Sequence, residues 1–293
     1  MSSSVSLSIG TNTAIAAAKA FGWFLTGSPT LFAETIHSIA DVANQVLLKI
    51  GEVRGRRGPD ALHPFGRGQE KFFWALVSAV SVFFVGCGLN VYHGVHALLQ
   101  RTTIEPFTPL VLGLLLFSLA LESVTFVVAL REIGGWKHAL RDRSNTTVLA
   151  VLLEDAVALL GILLTLLVAA VSLLWGPHAE FDAIVAIAIG VLLGCMALFL
   201  AAINRKLLID ASDEDVDRIA RQFLADLGIP AQVSSIMIDD KRSVVFVRVR
   251  QDDSHGRGLA DTYALGEALK THALARGRKI EAVYWKFPAP HSP

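Results

Sequence analysis

Six long apolar runs, at roughly 9–28, 32–50, 72–99, 108–130, 147–175 and 180–203, dominate the first two thirds of the chain. A helix needs about 20 residues to cross roughly 30 Å of hydrocarbon, so residues 1–204 are predicted to form six transmembrane helices. The connection GSPT at 27–30 ends one helix before the next begins, and RGRRGPDALHPFGRGQEK is too rich in Gly, Pro and charge to be helical throughout. From residue 205 the pattern becomes that of a polar domain. DEDVDRIARQFLADLG predicts an amphipathic helix with an acidic first turn and a Gly stop. Strands follow at about 231–238 and 243–250, joined by DDKR as a hairpin-like turn. A helix over 259–276 and the strand IEAVYWKF complete an αββαβ order, which suits a small α+β domain with its helices on one face of a sheet.

Composition agrees with a membrane protein, at 53% hydrophobic residues and a mean hydropathy of +0.52. The 26 basic and 26 acidic residues cancel, so the informative quantity is which loops hold the Lys and Arg. Arg54, Arg56, Arg57, Arg67 and Lys71 follow run 2, and Arg131, Lys137, Arg141 and Arg143 follow run 4, while the other short loops contribute only Arg101. Both termini and the tail are therefore expected on the cytosolic side. A bacterial inner membrane is the expected location, with an organelle membrane as the alternative. The N-terminus shows no basic segment followed by a short apolar run and a cleavage site, so run 1 is read as retained. Cys87 and Cys195 have no metal or redox spacing and are read as small hydrophobes.

Ionisable groups inside the runs carry the chemistry. His37 and Asp41 are four residues apart in run 2 and share a helical face, where both can reach one ion. Run 5 holds Glu154 and Asp155. Asp41 lies about 15 Å deep from the outside and Asp155 about 14 Å deep from the cytosol, at 1.5 Å per residue. Carboxylates near the midplane are costly and repel one another, so a shared cation, protons or a basic partner is needed. A divalent metal fits best, because imidazole nitrogen and carboxylate oxygen suit Zn²⁺ and neighbouring first-row ions. The same groups titrate, so metal and protons can displace each other.

Other polar positions have two readings each. Asn44 continues the face of His37 as a ligand or a packing amide. Glu122 in run 4 is a proton relay or supporting acid, or else a salt-bridge partner of Lys19, and Asn12 lies on a face similar to that of Lys19. Glu34 is a proton-coupling group or snorkels to the outer interface. Asn90, His93 and His96 near the outer end of run 3 are interfacial or serve ion access. His63 is a solvated loop histidine or part of a second metal site. In the tail, His255, His272 and His291 with Asp239, Asp240, Asp252 and Asp253 fall in no compact ligand spacing.

GSPTLFAETIHSIADVANQ, HPFGRGQEK, the six runs and the αββαβ tail together resemble the cation diffusion facilitator family, the proton-coupled exporters of divalent metals. The resemblance implies a homodimer, a metal site between spans 2 and 5 built from His37, Asp41 and Asp155, alternating access, and a ferredoxin-like, metallochaperone-like cytosolic domain. It covers nearly the whole chain. Span 5 departs from the family pattern, because the position four residues before Asp155 is Val151, which cannot ligate. Glu154 is the nearest replacement, although consecutive helical residues point about 100° apart. Water, Asn44 or Glu122 are the other candidates. Zinc is the first choice of cargo, with Mn²⁺, Fe²⁺ and Co²⁺ open. The tail, lacking most of the family's histidines, is read mainly as a dimerisation domain. The expected partners are a metal ion, protons, lipid and a second copy, with no nucleic acid. An intramembrane enzyme is disfavoured because no GxGD, GxSG-type or HExxH motif is present; a non-transporting scaffold is the third class.

Overall fold

The computed structural model describes residues 3–26, 29–100, 108–136, 146–175, 179–239, 242–249 and 258–287. They fall into two compact units, one of residues 1–53 and 71–205, the other of residues 54–70 and 206–293.

The first unit is helical: α1 (Ser3–Thr26), α2 (Pro29–Gly55, whose end passes into the second unit), α3 (Glu70–Ser81), a π-helical segment (Val82–Cys87), α4 (Gly88–Gln100), α5 (Pro109–Glu132), α6 (Thr146–Trp175) and α7 (Ala179–Leu208). Among the described residues, four stretches are long and apolar enough to cross a membrane, namely Glu70–Leu99, Pro109–Glu132, Thr147–Val171 and Ala183–Leu208. Helices α1 and α2, of 24 and 27 residues, are long enough. They are not among those four, so of the six spans expected the described residues give four. Thr108 caps α5, its hydroxyl accepting from the Val111 N–H at 3.3 Å, and Pro109 takes a position where no N–H is needed. Helix α5 packs against α1 and α6, with Val111 and Leu115 meeting Ile162.

Run 3 is one helical rod with an i→i+5 turn in its middle, a departure from the uniform helix expected there. Beyond it, along α4, the rod approaches α7 closely, with glycines at the contact. A Cβ on Gly94 would lie 2.5 Å from Cγ1 of Ile187 and 2.7 Å from the Ala183 carbonyl, and one on Gly190 would lie 2.9 Å from Cγ2 of Val91. Gly190 and Gly194 form a GxxxG pair, the pattern that lets membrane helices pack closely.

The second unit has α8 (Glu214–Asp226), β1 (Ala231–Met237), β2 (Arg242–Val249), α9 (Leu259–Leu274) and β3 (Lys279–Lys286), the αββαβ order expected. Strand order is β1-β2-β3, with β1 antiparallel and β3 parallel to β2. Asp213 caps α8, accepting from the N–H groups of Asp215 and Val216, and Gly228 at φ 67° follows its end. Val216, Ala220 and Leu224 repeat every four residues and face Val245, Val247 and Val249, with Leu269 and Ala273 from α9 closing the core. Residues 54–70, between α2 and α3, belong to this unit. Phe65 meets Tyr284 edge-on at 6.4 Å, Tyr284 stacks on Phe246 at 5.5 Å, and a Cβ on Gly68 would lie 2.5 Å from the Ile238 carbonyl.

Asp217, on α8, is nearly buried, and one of its carboxylate oxygens has no hydrogen-bond partner among the described residues. Burial pushes its carboxyl above the ordinary value. The Ser235 hydroxyl and the Arg221 charge pull it back, while Asp213 and Glu214 add to the rise. The folded chain thus disfavours the ionised form, and stability falls as pH rises from the ordinary Asp value of 3.8 through the raised one. Asp217→Asn is therefore expected to raise hydrogen-exchange protection of α8 at pH 7, with little difference near pH 4. Equal or lower protection at pH 7 would count against this account.

Candidate metal centre

Helix α6 enters its apolar stretch through Val148–Leu152, all buried, and then places Glu154 and Asp155 in the packed interior at 6% and 2% exposure. Val151 is itself fully buried, so the position four residues before Asp155 offers only a methyl surface. Glu154 reaches α2, where the Asn44 amide Nδ2 donates to its Oε1 at 3.0 Å. Asn44 in turn accepts at Oδ1 from the Ser78 hydroxyl of α3 at 2.7 Å. Three helices are thereby tied by one chain of hydrogen bonds. Thr125 of α5, whose hydroxyl also lies 2.9 Å from the Glu122 carbonyl, is the hydrogen-bonding neighbour of the Asp155 carboxylate.

Asp41 is half-buried on α2 and lies within electrostatic reach of both Glu154 and Asp155. Glu154 Oε2 and Asp155 Oδ2 are buried and accept no hydrogen bond among the described residues. A buried acceptor left without a donor costs about 1–3 kcal/mol, more if charged. These oxygens are hard donors suited to a cation. Among the described residues, no group of three or more His, Cys, Asp or Glu gathers as a ready-made metal site. His37 and Glu34 lie on α2, but their side chains fall outside the described residues.

Glu122 and Lys19 are both buried, on helices α5 and α1 that pack against each other. Asn90 donates to the Gly86 carbonyl of its own helix at 2.7 Å, while His93 and His96 are exposed, the latter stacked on Tyr92. In the polar unit, His63 Nδ1 lies 2.9 Å from Asp60 Oδ1, and Arg67 donates to Asp60 Oδ2 at 3.0 Å. These two partners, His63 first, hold the Asp60 carboxyl well below the usual carboxylate range. His272 packs against the Phe223 ring at 5.0 Å. His255, His291, Asp240, Asp252 and Asp253 lie outside the described residues.

Three polar residues at this centre escape the sequence reading. Gln45 is wholly buried beside Glu154 as a polar neighbour of its carboxylate. Its signal is the Asn-Gln pair that ends the HSIADVANQ segment. Ser78 and Thr125 carry no comparable signal, since neutral hydroxyls are frequent in membrane helices.

Residues 5–209 match the cation efflux transmembrane domain. The chain belongs to the cation efflux family. As a member of that family with four stretches apolar enough to span, it is a multi-pass membrane protein. It is 32% identical over 224 residues to a mitochondrial proton-coupled zinc antiporter of Xenopus laevis, covering 73% of this chain and 40% of that protein. To metal tolerance protein C4 of Arabidopsis thaliana it is 35% identical over 206 residues, 67% of this chain and 44% of that one. The magnetosome protein MamM of Paramagnetospirillum magneticum is 34% identical over 92 residues, 31% of this chain and 28% of that one. The cation efflux chain here thus spans less than half the length of these relatives.

Proposed function

We propose that this cation efflux protein moves a divalent metal across its membrane in exchange for protons, with six spans, cytosolic termini and alternating access, as a homodimer. The observation that carries the reading is the pair of buried carboxylates on α6 with unengaged oxygens, within electrostatic reach of Asp41. Carboxylates in hydrocarbon are tolerated where they mark an ion path. His37, Asp41, Asp155 and Glu154 are the proposed ligands, and Glu122 and Glu34 the proposed proton-coupling groups. Asn44 is proposed to support the site, its amide donating to Glu154 and its carbonyl oxygen accepting from Ser78. Zinc is the proposed cargo, supported by the zinc antiporter relative and by the imidazole at position 37. Mn²⁺, Fe²⁺ and Co²⁺ are the competitors to test. The membrane is proposed to be a bacterial inner membrane, with an organelle membrane as the competing site.

The full chain reconstituted in proteoliposomes tests this directly. Zn²⁺ uptake should be accelerated by an opposing proton gradient, and Zn²⁺ should move protons in return. Metal flux that ignores the gradient would remove the proton coupling. Absence of flux for all four metals would remove transport.

A further inference from the structure

We propose that Ser78 is a positioning residue of the transport site, fixing the orientation of Asn44 and through it the oxygen that Glu154 presents. The inference rests on the reading of Asp41, Glu154 and Asp155 as the site of the transported metal. Ser78 lies on α3, in a mostly apolar run, and is 2% exposed, with its hydroxyl donating into the polar centre.

A hydroxyl has one proton to give. Ser78 gives it to Asn44 Oδ1 at 2.7 Å, and the Asn44 Nδ2 then donates to Glu154 Oε1 at 3.0 Å. Turning the Asn44 amide over would set its carbonyl against a carboxylate oxygen, two acceptors face to face. The donors therefore run in one direction, from α3 through α2 to α6. Two consequences follow for a bound cation. The Asn44 carbonyl already accepts one hydrogen bond, from Ser78, which fixes the direction in which its amide points. Glu154 is held by one oxygen, so that Oε2, which has no hydrogen-bond partner among the described residues, is the one left to offer. A glutamate held this way acts through a single oxygen and needs no bidentate geometry.

Removing the Ser78 hydroxyl leaves Asn44 held by its Glu154 contact alone, so the amide and the glutamate it holds are less firmly placed, which weakens metal capture without removing a ligand. In proteoliposomes, Ser78→Ala is expected to raise the KM for Zn²⁺ about 3- to 10-fold, the worth of one hydrogen bond, with the maximal rate little changed. The decisive measurement is the same substitution in an Asn44→Ala background. If Ser78 acts through Asn44, the second loss adds nothing there; an equal rise in KM in both backgrounds would assign Ser78 a structural role and overturn the proposal. A wild-type KM for Ser78→Ala in the native background would also overturn it. Should the alanine variant yield too little folded protein, Ser78→Thr, which keeps the hydroxyl, takes its place: a native KM supports the proposal and a raised one overturns it. A wild-type chain that moves no metal would remove the transport reading and this inference together. Native transport with silent Ser78 variants removes this inference alone.

Discussion

Asp155→Ala is expected to abolish metal transport by the reconstituted chain while leaving it folded, and Asp41→Ala is expected to do the same. Losing a group that merely supports a metal ligand costs roughly 10- to 100-fold, so losing a carboxylate that faces the ion should exceed that. Retained folding follows from the same geometry. Asp155 is 2% exposed and one of its oxygens accepts no hydrogen bond among the described residues. Deleting it discards a group whose burial opposes folding, which offsets the small cavity left behind. Metal flux and a melting curve in detergent, taken on one preparation, separate loss of transport from loss of fold. Transport by either variant at the wild-type rate would place the site elsewhere.

The second large effect is expected at Glu154. With Oε1 held by Asn44 and Oε2 open, Glu154 is proposed to replace the ligand that Val151 cannot supply. Glu154→Gln should weaken metal affinity by at least about 10-fold, as expected when a metal-facing group is lost. Glu154→His should shift preference from Mn²⁺ toward Zn²⁺, because an added imidazole favours the softer ion. A change confined to the pH dependence of exchange would instead make Glu154 a proton carrier. If affinity, pH profile and preference are all unchanged in both variants, Glu154 is structural.

The elements were legible in the sequence to different depths. The helical runs stand out because twenty apolar residues in a row have few other uses in a folded chain. Their ends do not stand out: α2 continues to Gly55 through Lys49 and Glu52, because these two form a salt bridge at 2.8 Å and the helix does not stop where the hydrocarbon does. The π-helical turn at Val82–Cys87 has no compositional signature, since only the hydrogen-bond span differs. Nor could the sequence assign residues 54–70 to the tail's unit, because that assignment rests on Phe65, Tyr284 and Phe246, three aromatics far apart in the chain. The tail's αββαβ order, by contrast, follows from alternation in β2 and four-residue spacing in α8. At the centre, Asp41, Glu154 and Asp155 are conspicuous because charge in an apolar run is rare. Ser78 and Gln45 are not, because a neutral polar side chain gains its meaning only from the partner that folding brings to it.

The glycine contact between α4 and α7 bears on which parts of the membrane unit are free to shift. Where Gly94 and Gly190 bring two backbones together, there is no layer of flexible side chains to act as a bearing, and sliding by even a fraction of a turn would drive Ile187 or Val91 into main chain. This pair of helices is built as a strut. The seam of α2 with α3 and α6 is of another kind, joined at the polar centre by side-chain hydrogen bonds that water or an arriving ion can replace one at a time. Any rearrangement that exposes the carboxylates first to one side of the membrane and then to the other can run along that seam while the strut stays rigid. Cross-linking across the two seams should accordingly freeze transport at the polar one and leave it running at the glycine one.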